Sequence, residues 1–371
     1  MMNVLMMFAH LRKGGPVDVA YNLCYQLAKK RGIGLYVLSL RKEPVNSRSG
    51  DFRKICTNVW NMDFSYLQCE CDSKRIVKRI QSVVNKYDID IVHCHGYHPV
   101  IIGKGLKNAK LVSTLHNRAN EDFINVFGQF VGKYMLNRYL KSLCNFNMNI
   151  AVSDSVAKVY REKVPNVCIV NNGINTDLYN FIGDEEKKIL RKRLGLPTDN
   201  ILFVSTGRVE KEKGYEDLIR WFIKATHNIN VGLLIVGDGS QYDRCRNAAS
   251  NSKNVIFAGR VDNVSDYLKC CDYYISNSVS EGMSLAVCEG ISCGLYPVLS
   301  DIPSHRDVAE CINGFFFSNL NDISISKLLK IQFNPAILHK HISDYFSINS
   351  MIIGYEEKYS QLLDDNANAE V

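Results

Sequence analysis

The sequence predicts two doubly wound α/β domains in tandem, the second smaller in charge but alike in grammar. Three observations carry this. A chain of 371 residues is about twice the length of an ordinary domain. Its short apolar runs are continuous rather than alternating, as strands buried on both faces of a parallel sheet are. Helix-period segments separate those runs in the first half, and the same alternation restarts near residue 200.

In the first half, residues 4–8, 34–40, 89–93, 110–115 and 148–152 read as strands, with amphipathic helices over 17–30 and 74–87 between them. That is the βαβ pattern of a parallel sheet with helices on both faces. Asn171-Asn172-Gly173 is a turn signal, and the charged stretch 184–195 that follows it is helical. The second half supplies strands at 201–205, 232–236, 255–257, 273–276 and 296–299, and helices at 215–225 and 283–292. The expected division is therefore 1–172 and 173–349, with an amphipathic helix over 350–365, N-capped by Ser350, free to pack back on the first domain.

Composition narrows the class. No run approaches the ~18 apolar residues of a membrane span, and residues 1–8 lack a basic region and a cleavage site, so they read as a first strand and not a leader. Thirteen cysteines, an odd number scattered without metal-ligand spacing, suit free thiols in a reducing cytoplasm. The net charge of +7 divides into +13 for residues 1–170 and −6 for the remainder. A basic first half suits an anionic partner: nucleic acid, phospholipid or a phosphorylated substrate.

The densest chemistry lies at Ser280-Glu281-Gly282-Met283-Ser284-Leu285-Ala286-Val287-Cys288-Glu289. This segment follows a predicted strand and enters a predicted helix, so its backbone N–H groups suit an anion. On one helix, eight residues place Glu281 and Glu289 about 12 Å apart along the axis, each able to accept from the vicinal hydroxyls of a sugar. Two solvated acids on a capped helix would read the same way. Gly207-Arg208, followed by Lys213-Gly214, offers a guanidinium fork and an ammonium at a strand's carboxyl end, where ligands of open α/β sheets bind. A solvated charge run is the alternative. Gly237-Asp238-Gly239 and Gly14-Gly15-Pro16 also follow strands and permit sharp turns or close backbone approach. No Walker or GxGxxG pattern is present.

Taken in order, Gly14-Gly15, His93-Cys94-His95, His116-Asn117, Asn172-Gly173, Gly207-Arg208, Lys213-Gly214, Gly237-Asp238-Gly239, Glu281 to Glu289 and Asn313-Gly314 resemble the retaining glycosyltransferases of the glycosyl transferases group 1 family. The resemblance covers most of the chain. It implies the GT-B fold, two Rossmann-like domains facing across a cleft. It further implies transfer of a hexose or N-acetylhexosamine from a nucleotide diphosphate sugar, UDP expected, to a saccharide or lipid-linked saccharide acceptor of bacterial polysaccharide or O-antigen synthesis. By the same resemblance Arg208 and Lys213 hold the diphosphate and Glu289 the ribose. Glu281, with backbone at Gly282, Met283, Ser284 and Leu285, meets the transferred sugar. Gly207, Gly237 and Gly239 line the donor site, Arg260 and Val261 border the base, His116 lies near the sugar, and Gly14 and Gly15 form an acceptor or phosphate loop. The implied reaction is metal-independent and uses no cofactor beyond the nucleotide-sugar co-substrate, with no role for nucleic acid. Met283, Glu289-Gly290-Ile291 and Tyr296-Pro297 depart from the family's usual Phe, Glu-Ala-Met and Gly-Leu-Pro, which bears on the identity of the sugar.

Several sharper readings compete with plainer ones. Asp88-Ile89-Asp90 precedes a strand as punctuation rather than as a metal site, and His93-Cys94-His95 lacks further ligands. The basic residues Lys74, Arg75, Lys78 and Arg79, and the aromatic and basic stretch 123–143, suit either a solvated core helix or peripheral contact with an anionic membrane. A sugar-nucleotide epimerase, or a non-catalytic partner subunit, would carry much of the same donor set.

Overall fold

The computed structural model describes residues 1–227, 229–250 and 252–367. The chain divides into two compact units, the first formed by residues 1–172 with 348–371 and the second by 173–347. Each is a Rossmann-like, wholly parallel sheet covered by helices.

The first sheet contains β1 (Met2–Phe8), β2 (Ile33–Arg41), β3 (Asn58–Phe64), β4 (Ile91–His95), β5 (Lys110–Leu115), β6 (Met148–Ala151) and β7 (Val167–Ile169), in the order β3-β2-β1-β4-β5-β6-β7. Val4, Leu5, Met6 and Met7 are fully buried, which is why that run shows no alternation. The order reverses between β1 and β4, whose carboxyl ends carry Phe8 and His95 in register.

β3 and β7 were not anticipated, and β4 begins at Ile91 rather than residue 89. Asp88 adopts a positive φ of 45° and Asp90 accepts the Asn3 N–H at 2.7 Å, so the strand opens only beyond this tight connection. The expected helix over 17–30 spans Gly15–Leu27, and the helix over 123–143 runs from Ala119 to Leu143 with a non-helical break at Gly128. The C-terminal helix starts at Ile348, so Ser350 lies inside it rather than at its N-cap. It buries Tyr355 and Tyr359 within the first unit.

The second sheet contains β8 (Ile201–Thr206), β9 (Val231–Val236), β10 (Val255–Gly259), β11 (Tyr273–Ser276), β12 (Tyr296–Ser300) and β13 (Phe315–Phe317), in the order β10-β9-β8-β11-β12-β13. β13 was also unanticipated. Its core gathers Phe203, Phe222, Leu233, Ile235, Ile275 and Val298. The switch point falls between β8 and β11, where open α/β sheets receive ligands beyond the strands' carboxyl ends. All thirteen cysteines are free thiols, and no described helix is long and apolar enough to cross a membrane.

Candidate active site

The loops at the second switch point are built by glycine. Gly237 has φ 148°, and a Cβ there would lie 1.8 Å from the Gly207 carbonyl oxygen. A Cβ at Gly239 would lie 2.5 Å from the Val209 carbonyl oxygen. The close approach these glycines permit is therefore to the neighbouring loop: the Gly207 N–H donates to Val236 and the Val209 N–H to Asp238, each at 3.0 Å. Gly214, at φ 63°, comes equally close to Asn277, which draws the loop after β8 against the end of β11.

This juxtaposition brings Lys213 and Glu281 together, Nζ to Oε1 at 2.9 Å, with side chains 22% and 11% exposed. The Val279 N–H donates to the Glu212 carbonyl at 2.9 Å and stitches the two loops. Fully buried His305 turns Nε2 toward the same Glu281 oxygen at 3.8 Å while its Nδ1 donates to the Ser300 carbonyl at 2.8 Å. Burial alone would raise the Glu281 pKa, but His305 and Lys213 hold it down at about 2. Glu281 is thus an ionised carboxylate beside a cation.

The two glutamates do not share a helix. Glu281 to Ser284 are non-helical, with a bend at Gly282, and the helix spans Leu285–Ser292 with no hydrogen bond from the Ser284 side chain capping its first turn. Met283 and Ser284 are buried and precede the first helical residue. The spacing along one helix axis expected from the sequence therefore does not apply; only Glu289 lies on the helix. Its first-turn N–H groups have no side-chain cap and suit an anion.

Glu289 has a contrasting environment. Burial raises its pKa to about 7, and a hydrogen bond from the Tyr179 hydroxyl partly offsets this. Tyr179 is tied to the same helix because the Ser292 hydroxyl donates to its carbonyl. The departure at Gly290 has a steric reason: a Cβ there would lie 2.3 Å from the Tyr274 ring. Neither His305 nor Tyr179 stood out in the sequence, since each meets its glutamate only through the fold. Arg208 is exposed just beyond β8, and Arg260 is exposed and Val261 half-buried just beyond β10. All three therefore lie at carboxyl ends of the sheet.

In the first unit, Gly14 and Gly15 open the helix Gly15–Leu27, whose first turn no side chain caps. A Cβ on either glycine would meet nothing within 4 Å. His116 follows β5 and hydrogen-bonds through Nε2 to His95 Nδ1 at 3.0 Å. Burial lowers the His116 pKa to about 4, so the ring is neutral. His93 is held by Tyr359 at 2.6 Å and Thr114 at 2.7 Å; it is a structural histidine. His98 contacts Glu70 at 3.0 Å, and Arg138 pairs with the same carboxylate. Among the described residues no group of three or more His, Cys, Asp or Glu side chains is placed to hold a metal.

Two parallel sheets with this order, each with glycine loops beyond its strands' carboxyl ends, define the GT-B fold. Residues 186–345 match the family described as Glycosyl transferases group 1, and residues 13–178 match Glycosyltransferase Family 4. Between them these two glycosyltransferase family models match most of the chain. It is 24% identical over 377 residues to the O-antigen biosynthesis glycosyltransferase WclY of Escherichia coli, covering 97% of this chain and 99% of that one. It is 23% identical to the N-acetyl-alpha-D-glucosaminyl L-malate synthase of Bacillus anthracis over 80% of this chain and 81% of the relative. The crystal structure of Anabaena HepE in complex with UDP has the same fold at a TM-score of 0.79, with 15% identity, over 97% of this chain and 100% of that one.

Proposed function

We propose that the protein moves a hexose or N-acetylhexosamine from a UDP-sugar, with retention of anomeric configuration, to a saccharide carried on a polyprenyl diphosphate in bacterial polysaccharide or O-antigen synthesis. The observation that carries this reading is the Lys213–Glu281 pair at the switch point of the second sheet, with the uncapped helix at Leu285 beside it. The UDP bound to HepE and the O-antigen role of WclY support the donor and the pathway class. Arg208, Lys213 and the helix N-terminus balance the diphosphate charge without a metal or other cofactor. Glu281 takes the sugar hydroxyls, with Gly282 to Leu285 alongside, and Glu289 takes the ribose. Gly207, Gly237 and Gly239 shape the loop that receives the nucleotide, Arg260 and Val261 border the base, and His116 lies against the transferred sugar. Gly14 and Gly15 form the loop for acceptor or phosphate.

No pair of carboxylates is invoked as acid and nucleophile. The acceptor oxygen bonds to the anomeric carbon on the face from which the diphosphate leaves, and the acceptor's proton passes to the departing phosphate oxygen. Stabilising that developing charge supplies most of the acceleration. A panel of nucleotide sugars, read by nucleoside diphosphate release with and without a polyprenyl-diphosphate saccharide, tests the proposal. Acceptor-dependent release is expected with a UDP-sugar. Conversion to a new sugar nucleotide without acceptor would mark an epimerase, and no turnover at all a binding subunit.

A lipid-linked acceptor also implies peripheral contact with an anionic membrane. On the broken helix Ala119–Leu143, Val126, Phe130 and Tyr134 are 71%, 92% and 64% exposed, with Lys133 and Lys141 exposed nearby. The helix Ser73–Lys86 spends its apolar residues Ile76, Ile80 and Val84 on the core, leaving Lys74, Arg75, Lys78 and Arg79 as a solvated basic face. The protein should sediment with vesicles containing anionic lipid and not with neutral ones, and Phe130→Asp should weaken that binding about tenfold or more. Equal recovery with neutral vesicles would exclude the contact.

A further inference from the structure

We propose that His95 is a positioning residue that fixes His116 as a hydrogen-bond donor, with its proton on Nδ1, so that His116 cannot serve as a base. This rests on the reading that His116 lies against the transferred sugar. His95 Nδ1 and His116 Nε2 are 3.0 Å apart, so one proton lies between them. There are two ways to place it, and they give His116 opposite chemistry.

In the first arrangement His116 donates from Nε2, and neutral His95 then carries its own proton on Nε2. In the second, His95 donates from Nδ1 and its Nε2 is a bare lone pair. His95 Nε2 is buried with no hydrogen-bond partner among the described residues. A buried N–H with no acceptor is among the rarest unsatisfied groups in proteins, rarer than an under-satisfied acceptor. The second arrangement therefore prevails. A neutral His116 that accepts at Nε2 has its proton on Nδ1, and no described residue is hydrogen-bonded to that nitrogen. It remains for a ligand oxygen.

The ring that imposes this is firmly seated. His95 stacks on Phe8, centroids 4.7 Å apart and planes within 11°, and its other neighbour is His93 at 4.3 Å. His93 is itself clamped by Tyr359 and Thr114. Burial favours the uncharged form of both His95 and His116. The chemical consequence is that His116 donates to an oxygen of the sugar and takes no proton. The proton released when the acceptor oxygen bonds to the anomeric carbon goes to the phosphate oxygen whose bond to that carbon breaks.

Nitrogen-15 NMR of ring-labelled histidine in the full-length protein reads the tautomer directly. His116 should show a protonated Nδ1 and a bare Nε2. His95→Asn keeps an N–H donor at the Nδ1 position, and should retain that tautomer with kcat within about threefold of wild type. His95→Phe keeps the stack on Phe8 but removes the donor. It should give mixed tautomers at His116 and lower kcat about tenfold or more, with KM for the nucleotide sugar unchanged. A protonated His116 Nε2 in the wild-type protein overturns the proposal, as does His95→Phe with an unaltered tautomer and full kcat. Should His95→Phe fail to fold, the wild-type and His95→Asn spectra still decide. A wild-type protein that turns over no sugar nucleotide would refute the assigned reaction, and the spectrum would still report whether His95 sets the tautomer.

Discussion

Arg208→Ala is expected to slow sugar transfer about 100- to 1,000-fold without moving the melting temperature, whereas Lys213→Ala is expected to do both. The difference lies in what each cation does before the donor arrives. Arg208 is exposed, so its removal costs only the charge that balances the departing diphosphate, a loss typical of removing one stabilising group from a transition state. Lys213 is 22% exposed and lies 2.9 Å from Glu281. Without it, a carboxylate that is 11% exposed keeps its burial but loses its cation. Breaking a buried pair from one side costs about 3 kcal/mol or more, or roughly 6–12 °C in a unit of this size. Nucleoside diphosphate release and thermal unfolding, measured on both variants, separate the two effects. Lys213→Ala combined with Glu281→Gln should recover most of the stability, because no charge is then stranded, and none of the activity. Full transfer by Arg208→Ala would remove the diphosphate assignment.

The strands that carry the two sheets were legible because parallel strands buried on both faces must be continuous apolar runs, and the runs ending at Phe8, Leu115 and Val236 are of that kind. The strand Asn58–Phe64 was missed because only Met62 in it is buried, so its pattern is that of an edge. Val167–Ile169 and Phe315–Phe317 are three residues long, too short for periodicity to show. The two-residue slip at β4 had the largest bearing on function: with the strand placed two residues early, His95 fell beyond its end and the pairing with His116 could not be read. The donor motif was found by its residue types, but its geometry was not. The apolar run after Gly282 predicts a helix from Met283, yet Met283 and Ser284 are non-helical and the helix begins at Leu285. Periodicity reports which residues are apolar and says nothing of where a loop must run before its helix begins.

Donor binding should strengthen about tenfold between pH 6 and pH 8, because the two glutamates are driven in opposite directions. Burial raises Glu289 to about 7, whereas Glu281 is held at about 2 and stays ionised throughout this range. Ribose hydroxyls donate to a carboxylate and so favour its charged form. Below pH 7 the free protein must give up a proton from Glu289 before it can accept those bonds, and each further unit of acidity weakens binding about tenfold. Calorimetry with an intact nucleotide sugar, whose diester phosphates do not titrate here, should show this slope and a proton released on binding. Glu289→Gln should bind more weakly with no slope. Folding linkage runs the other way. A carboxyl raised from its ordinary 4.5 binds more protons in the folded than in the unfolded state between about 4.5 and 7. Its contribution to stability is therefore lost as pH rises through that window. The contribution of Glu281, lowered from the same 4.5, is lost only as pH falls from about 4.5 to 2. The free protein should accordingly gain thermal stability from Glu289 on mild acidification while its grip on the donor weakens, and Glu289→Gln should abolish both trends. Affinity that is level from pH 6 to 8 in the wild-type protein, or an unchanged slope in Glu289→Gln, would separate Glu289 from the ribose.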